Sequence, residues 1–494
     1  MKHFEIERRF LLYPCSMRRF LKSQGISYES VPILQFYLVA KEGEVLRYRR
    51  CGDKYIRTDK FGKGMVREEY EESVGRDEFE DAMERNRGGV IRKRRFVFKL
   101  DGRSFELDSF KASLKGLNIL EVEFDSEKEA DSFELPECFK KLLAAEITDM
   151  EKFSNGALSK KMKIPSIETP LVDLLKSIDE RESFLKASVK LKLAPYESTA
   201  HSLKAILYTL LRTIEDNRME ILEGTDDPER LHQLRVAMRK IRALLSQMHR
   251  EFEPHWLKER KERLSMLMRK TGPMRDIDVY LGEMNNYKNM LPEDLKPGIE
   301  KLEEYLKSKE RQLEEELLEF LGGEEFSSEM DCLMKFAKSE DERGLDDGSK
   351  GPVIIAAKKA LRLRYAKVLK KGERIDEHSP AHEYHSLRID IKKLRYMIEF
   401  FSSLFESDAY GEMARRLKEI QTILGKHQDL DVQREHLKNF TRIEELHDDT
   451  TLRAIESLRA KMREAERKER SRFRSSFADF RKTKKLFKKM LCKF

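Results

Sequence analysis

The spacing of apolar residues changes once along this chain, near residue 165, and this change constrains the fold more than any other feature. Before it, apolar and polar residues alternate in short runs such as Val45–Arg50 and Arg103–Phe110, which is typical of β-strands. From about Ser166 onward, apolar residues recur every three or four positions and Gly and Pro become sparse, which is typical of amphipathic helices. We therefore predict two different folds in one chain, joined over 166–194.

Composition excludes several classes of protein. The chain has 494 residues, 38% of them charged, yet 99 basic against 91 acidic residues leave a net charge of only +8. No apolar run is long enough to span a membrane, and the first residues lack the apolar core of a signal peptide. The five cysteines are far apart and form no CxxC pair, which favours a reducing cytosol over a disulfide framework or a structural zinc site. Residues 166–458 carry a net charge of −6, which argues against a general nucleic-acid binder.

In the first region, charges of both signs share one face of each predicted strand. The groups that alternate with apolar neighbours are Glu5, Glu7 and Arg9; Arg47 and Arg49; Arg67, Glu69 and Glu71; Lys93, Arg95 and Lys99; Glu106 and Asp108; Glu121 and Glu123. These faces are either the solvated outside of an ordinary sheet or the lining of an enclosed space. A lining of this kind is costly when dry and empty, so it predicts a polyanion bound together with hard divalent cations.

The order of these motifs resembles the CYTH domain of the triphosphate tunnel metalloenzymes. Glu5-Ile6-Glu7-Arg8-Arg9 is similar to its ExExK signature, with Arg9 where the family usually has Lys. Further matches follow in order: Leu46-Arg47-Tyr48-Arg49, Thr58-Asp59-Lys60, Arg67–Glu71, Lys93–Phe96, Glu106–Asp108, Glu121–Phe124 and Phe153–Asn155. The resemblance covers residues 1–165 and implies an eight-stranded antiparallel β-barrel tunnel that acts on triphosphate with a divalent metal.

The resemblance also implies roles for residues, and the chemistry of their side chains agrees. Carboxylates bind Mg²⁺ or Mn²⁺, and guanidinium and ammonium groups bind phosphate oxygens. The expected catalytic residues are Glu5, Glu7, Arg9 and Lys60. The expected metal ligands are Glu5, Glu7, Glu69, Glu71, Asp108, Glu121 and Glu123. The expected substrate-binding residues are Arg47, Arg49, Lys60, Arg67, Lys93 and Arg95.

The helical region contains an internal repeat. Residues 231–279 align with 384–432 at a constant offset of 153 without a gap, which indicates a duplication. The basic residues fall on one face of a predicted helix in each copy: His232, Arg235, Arg239 and Arg242 in the first, and His385, Arg388, Lys392 and Arg395 in the second. A solvated basic face is the ordinary explanation, but retention of the same face in both copies favours a groove for an extended polyanion.

The two copies resemble the CHAD domain, a duplicated helical domain named for its histidines, over about 195–494. Its repeats are expected at about 195–340 and 352–494, and the polar segment 341–352 joins them. The resemblance implies that the eight basic residues above bind inorganic polyphosphate. The overall prediction is an α+β multidomain protein: a tunnel domain over 1–165, a linker over 166–194, and an all-α duplicated helical bundle over 195–494.

The main functional hypothesis is a cytosolic, metal-dependent inorganic triphosphatase whose helical domain binds polyphosphate, with polyphosphate granules as a candidate location. Three alternatives stay open from sequence. The chain could be a non-catalytic polyphosphate-binding protein, or the tunnel could act on nucleotides or thiamine triphosphate or as a cyclase. Nucleic-acid binding by the helical region and the basic tail 459–494 is disfavoured by the charge distribution, and no membrane partner is expected.

Overall fold

The computed structural model describes residues 6–41, 44–61, 68–376, 378–405 and 407–492. The chain divides into two compact units. The N-terminal unit comprises Met1–Ile167, Ala194–Ser198 and Lys350–Ile355, and the helical unit comprises Glu168–Leu193, Thr199–Ser349 and Ala356–Phe494. The segment predicted as a linker thus belongs largely to the helical unit, where it contains a short helix of its own.

Within the described residues, the N-terminal unit is built on one nine-stranded sheet in which every neighbouring pair is antiparallel. Its strands are β1 Ile6–Leu12, β2 Glu29–Lys41, β3 Glu44–Cys51, β4 Lys54–Phe61, β5 Glu68–Ser73, β6 Ile91–Leu100, β7 Arg103–Phe110, β8 Asn118–Phe124 and β9 Leu143–Glu146. Their order across the sheet is β5-β4-β3-β2-β6-β7-β8-β1-β9, so hydrogen bonding among these residues does not close the sheet into a barrel. The fold class is confirmed, but the strand number is nine rather than eight. The additional strand β9 begins where a helix over 127–143 was expected.

The apolar face of the sheet is covered by short helices of the same unit. These are α1 Met17–Ser23, α2 Arg76–Arg85, α3 Glu127–Ser132 and α4 Glu137–Lys140. A fifth helix, α5 Asn155–Lys161, instead packs through Leu158 with Leu11, Ile91 and Ile119. Phe36 and Tyr48 from neighbouring strands stack with ring centroids 5.7 Å apart, and both contact Phe79 of α2. Because side chains alternate along a strand, burial of these aromatic rings turns the charged residues to the opposite face.

The described part of the helical unit contains twelve α-helices, counting α13, which begins in Lys350–Ile355 of the N-terminal unit. They are α6 Leu171–Asp179, α7 Thr199–Leu222, α8 Pro228–Gln247, α9 Pro254–Lys270, α10 Gly272–Met290, α11 Lys296–Gly322, α12 Glu324–Lys338, α13 Val353–Gly372, α14 Ala381–Phe400, α15 Asp408–Phe440, α16 Asp449–Arg481 and α17 Lys484–Met490. None of the helices in the described ranges is long and apolar enough to cross a membrane.

The duplication is visible in the helices. Adding the offset of 153 to the bounds of α8 gives the bounds of α14. The copies then differ: α9 and α10 are separate helices, whereas the corresponding residues of the second copy form the single long helix α15. The break follows from Pro273, which lacks a backbone N–H and takes a first-turn position of α10, while its counterpart Lys426 continues the helix.

The basic tail is helical and packs through its aromatic residues. Phe473, Phe477, Phe480 and Phe487 are all buried. A side chain at Gly372 would meet the ring of Phe477, since a Cβ there would lie only 2.1 Å from a ring carbon. The tail is therefore a packed part of the helical unit, as its spacing of aromatic residues predicted.

Candidate functional site

The strand register brings the predicted tunnel residues onto one face of the sheet, which we call the charged face. Residues directly opposite one another in antiparallel strands point to the same side. Starting from β1, the register pairs Glu7 with Glu123 and Arg9 with Glu121; Glu121 with Glu106; Asp108 with Arg95; Arg47 with Thr58; and Thr58 with Glu71. Residues 11 to 116 positions apart in sequence therefore meet on this face.

The centre of the charged face is a buried network of ion pairs. The Nζ of Lys93 donates to Asp108 at 2.5 Å, and both side chains are at most 1% exposed. Arg95 makes two hydrogen bonds to Asp108, at 2.8 and 2.7 Å, and also pairs with Glu121 at 2.8 Å and with Glu106. Burial alone would raise the pKa of Asp108, but the charge of Lys93 and the bonds from Arg95 outweigh it and lower that pKa to about 2. Burial lowers the pKa of Lys93, and the three carboxylates raise that of Arg95 against the effect of burial.

A second group of cations lies toward the β3 side of the charged face. Arg47 donates to Thr58 at 2.9 Å and to Glu71 at 3.1 Å. Its neighbour Arg49 differs, because the Nε of Arg49 is buried without a hydrogen bond to any described residue. Burial, with the nearby charges of Arg47 and Arg95, lowers the pKa of Arg49. Buried, crowded guanidinium groups favour an anion.

The β1 edge of the charged face is rich in carboxylates. Glu7 stands opposite Glu123, and Arg9 lies 3.8 Å from Glu121 and donates to the backbone oxygen of Phe153 at 2.8 Å. Like charges directly opposite one another are unfavourable unless a cation lies between or beside them.

Some predicted residues are outside this description. Glu5 and Arg67 lie outside the described residues. For Lys60 and Glu69 only the strand register is described, and it pairs these two residues directly across β4 and β5.

No group of three or more His, Cys, Asp or Glu side chains is already arranged around a metal position among the described residues. The donor chemistry nevertheless fits a hard divalent cation, since Glu7, Glu121 and Glu123 place carboxylates on adjacent strands of one face. Asp108 fits less well as a ligand, because Lys93 and Arg95 already occupy its oxygens.

The helical unit brings its two copies of the basic motif together. Helices α8 and α14 pack against each other, and the cations of one copy act on those of the other. Arg388 contributes to lowering the pKa of Arg239, and Arg239 contributes to lowering that of Lys392. We call the eight predicted residues on these helices the basic centre.

Burial and mutual repulsion dominate the basic centre. Burial is the main cause that lowers the pKa of Lys392 to about 8, with Arg388 and Arg239 adding to it. In the same way, the pKa of Arg235 falls to about 10 and those of His232, Arg239 and Arg242 are lowered. The Nε atoms of four arginines are buried without a hydrogen bond to a described residue: Arg235, Arg239, Arg388 and Arg395. Such crowding of positive charge is relieved by a bound anion.

The carboxylates near the basic centre are few. Arg388 contacts Asp429 at 3.4 Å, and Asp276, the equivalent residue of the first copy, acts electrostatically on Arg235. These aspartates are therefore partners of cations on the basic helices. His385 is exposed and hydrogen-bonds through Nδ1 to Gln428 at 2.6 Å.

Sequence reasoning assigned no role to several residues of both sites. Gln35 is fully buried on the charged face, bonded through Nε2 to the Tyr37 hydroxyl at 3.1 Å, while its Oε1 has no described partner. Arg275 and Tyr396 lie beside the basic centre, close enough to act on His232 and Arg239 respectively. Arg275 was hidden because its counterpart in the repeat is Gln428, so the comparison of copies gave no signal. Its position directly before Asp276 was the available clue.

Comparison with known proteins agrees with this division of the chain. The CHAD domain family matches residues 205–438. An inorganic triphosphatase of Nitrosomonas europaea is 35% identical over 159 residues, which are 31% of this chain and 96% of that protein. The chain belongs to the CYTH-CHAD proteins.

Solved structures match each half of this CYTH-CHAD protein. A crystal structure of an inorganic triphosphatase is 32% identical and covers 33% of this chain and 98% of its own, with a TM-score of 0.26. A crystal structure of the CHAD domain from the plant Ricinus communis is 21% identical and covers 60% of this chain and 95% of its own, with a TM-score of 0.47.

Proposed function

We propose that the CYTH unit hydrolyses inorganic triphosphate with Mg²⁺ or Mn²⁺ and that the CHAD unit binds inorganic polyphosphate. The observation that carries the first part is the register, which collects carboxylates and uncompensated cations on one face of the sheet. The likeness to an inorganic triphosphatase over nearly the whole length of that protein supports it.

The role of each residue on the charged face follows from the groups that it contacts in the structure. Arg49, whose Nε has no hydrogen bond to a described residue, and Arg47 bind phosphate oxygens, together with Lys60 and Arg67. Arg95 and Lys93 are held by carboxylates and act mainly by keeping the face rigid. Arg9 stabilises the charge that develops on the leaving phosphate. A divalent cation held by Glu5, Glu7, Glu121 and Glu123 would neutralise phosphate charge and activate water.

The test of this activity is phosphate release from tripolyphosphate with Mg²⁺ or Mn²⁺ in the full chain. We expect the Glu7→Gln/Glu123→Gln variant to lose about a hundredfold or more in kcat/KM. Glu72→Gln is the matched control, because Glu72 is an exposed carboxylate whose register partner Arg57 belongs to the other face. If the wild type releases no more phosphate than the double variant, the tunnel only captures chain ends. That result would favour the non-catalytic alternative.

The same assay separates the remaining alternatives for the CYTH unit. ATP and thiamine triphosphate are compared with tripolyphosphate at equal concentration. We expect tripolyphosphate to have the highest kcat/KM, since most of the identified groups of the charged face carry charge and suit phosphate or a metal ion rather than a base. Faster turnover of a nucleotide or of thiamine triphosphate would replace the proposed substrate.

For the CHAD unit, the supporting observation is that cations from both copies repel one another across the packed helices α8 and α14. A long polyphosphate chain supplies regularly spaced negative charge to both helices at once. We expect Arg239→Glu/Lys392→Glu to weaken binding of long-chain polyphosphate by about a hundredfold and to flatten its salt dependence.

The matched control for that variant is Lys258→Glu/Arg453→Glu, which reverses two exposed charges away from the basic centre. Undiminished polyphosphate binding by Arg239→Glu/Lys392→Glu would overturn the assignment of the basic centre. We propose a cytosolic location at polyphosphate deposits on the same grounds, which microscopy of tagged wild-type and variant protein tests.

A further inference from the structure

Outside both sites, a cavity of about 300 Å³ opens between α10, α11 and α15 of the helical unit. Each helix presents one pair of lining residues spaced four positions apart, so each pair occupies one helical face. The pairs are Asp276 and Tyr280, Tyr305 and Lys309, and His436 and Phe440. Neither proposed activity uses this cavity.

The walls of the cavity are aromatic and the floor is aliphatic. The ring of Tyr280 lies 5.9 Å from that of His436 and meets Phe440 edge-on at 5.5 Å. Ile277 and Leu306 close the floor and belong to the hydrophobic core of this part of the unit. Aromatic walls around an apolar floor suit a flat ring, which can stack on one ring and be met by the edge of another.

The polar groups of the cavity suit the edge of a purine. Lys309, which also lies 5.5 Å above the ring of Tyr305, is an exposed donor at the rim. Asp276 offers a carboxylate that can accept N–H groups, and Gln312 offers both a donor and an acceptor. Lysine pairs with the O6 and N7 of guanine, and glutamine with the N6 and N7 of adenine.

The duplication reproduces only part of this cavity. Phe440 has an aromatic equivalent at the offset of 153, Tyr287 of α10, whereas Tyr280 corresponds to Gln433 of α15. The aromatic residue at position 280 is therefore particular to the first copy. Burial and the charge of Asp276 raise the pKa of Tyr280, so its hydroxyl stays protonated and available as a donor.

We infer that this cavity binds a purine base, stacked against an aromatic residue of its wall, as a ligand site beside the basic centre, with which it shares Asp276. The ligand is a free purine nucleoside or the base of a purine nucleotide. This inference does not depend on the proposed polyphosphate binding.

The experiment is isothermal titration of the full chain with guanosine, adenosine, uridine and cytidine, in the presence of saturating long-chain polyphosphate. Nucleosides carry no phosphate, so binding at the basic centre does not contribute. We expect one purine nucleoside to bind with a Kd below about 1 mM and both pyrimidine nucleosides to bind at least about fivefold more weakly. Preference for guanosine would assign Asp276 and Lys309 to the base edge, and preference for adenosine would assign Gln312.

The key variant is Leu313→Phe, which fills the cavity from α11 with a larger apolar side chain. We expect it to weaken purine binding by about tenfold or more while the melting temperature stays close to that of the wild type. Glu315→Ala, an exposed change on the same helix, should leave binding unchanged. Tyr305→Leu, which removes a half-buried wall residue, serves as the second variant if Leu313→Phe does not fold. Absence of purine binding by the wild type at about 5 mM, or unchanged binding in a folded cavity variant, would overturn the inference.

Discussion

The charged face and the basic centre both bring together cations from distant parts of the chain, but they differ in how many carboxylates contact these cations. On the charged face, Arg95 alone contacts Asp108, Glu106 and Glu121. In the basic centre, the ion pair with a described acidic residue is that of Arg388 with Asp429 at 3.4 Å, and the pKa of Lys392 falls to about 8. The first arrangement suits a ligand that arrives with metal ions, whereas the second suits a polyanion that needs none.

The comparison also explains how each site tolerates burial. Lys93 and Asp108 are both buried and neutralise each other, so the charged face is stable without a ligand. The basic centre instead keeps its cations half-buried at a cost in repulsion, which a ligand relieves. The predictions below test this difference, beginning with the largest expected effect.

Breaking the buried pair of the charged face should have the largest effect. Asp108→Leu leaves Lys93 buried with no carboxylate at 2.5 Å, and we expect the CYTH unit to lose about 3–5 kcal/mol of unfolding free energy. Urea denaturation followed by circular dichroism measures this. The double variant Lys93→Met/Asp108→Leu should recover more than half of the loss, and equal destabilisation of single and double variants would contradict a neutralised pair.

Removing Arg49, whose Nε has no hydrogen bond to a described residue, should lower the triphosphatase activity and leave the unfolding free energy nearly unchanged. Arg49→Met deletes a guanidinium whose Nε has no described hydrogen bond. We expect kcat/KM for tripolyphosphate to fall by about 10- to 100-fold. Its unfolding free energy should change by less than about 1 kcal/mol. Arg95→Met is the matched comparison, because it removes a cation held by three carboxylates and should destabilise the unit. Equal unfolding free energies of Arg49→Met and Arg95→Met would contradict the proposed difference between these two cations.

Polyphosphate binding should weaken with rising pH in a range set by Lys392. Its pKa of about 8 lies below the ordinary lysine value, so the free protein loses this charge as the pH passes through 8, whereas bound polyphosphate favours the charged form. We expect affinity to fall by up to about tenfold between pH 7 and 9. In Lys392→Arg the fall should largely disappear, since arginine stays charged. A persistent fall in that variant would assign it to another group.

The smallest effect concerns the carboxylates of the basic centre. If they are only partners of the cations, Asp429→Asn should strengthen polyphosphate binding by about two- to fivefold, because it removes a negative charge 3.4 Å from Arg388. Titration at low salt measures this. Weaker binding in Asp429→Asn would indicate that this carboxylate contributes to a metal site, as the carboxylates of the charged face are proposed to do.

Much of the architecture was predictable because it depends on local period. Alternation in strands such as Arg103–Phe110 predicted the antiparallel sheet, and the spacing of three and four predicted the helices. The offset of 153 even predicted that α8 and α14 would match. Strand β9 was missed because Leu143–Glu146 is too short to show alternation, and the surrounding residues favour helix.

The sequence predicted which types of residue form each site, but it did not predict which of them pair with one another. Sequence grouped Arg47, Arg49 and Arg95 as equivalent cations, because each alternates with apolar neighbours in its own strand. Which of them would be neutralised depended on the register, which places Asp108 opposite Arg95 and Ile56 opposite Arg49. The partners lie 13 and 7 positions apart on neighbouring strands, and the turn between the strands, rather than the alternation within either strand, decides which residues stand opposite one another.

The sequence by itself determined the two folds, the duplication, and which residue types face one side of each strand or helix, since these follow from side-chain periods of two and about 3.6. Only the tertiary structure decided which charges compensate each other. It turned Lys93 and Asp108 into a buried pair, left Arg49 without a described partner at its Nε, and set Arg239 against Arg388 across two helices. Electrostatic interaction depends on distance and burial in space, and both are properties of the folded chain.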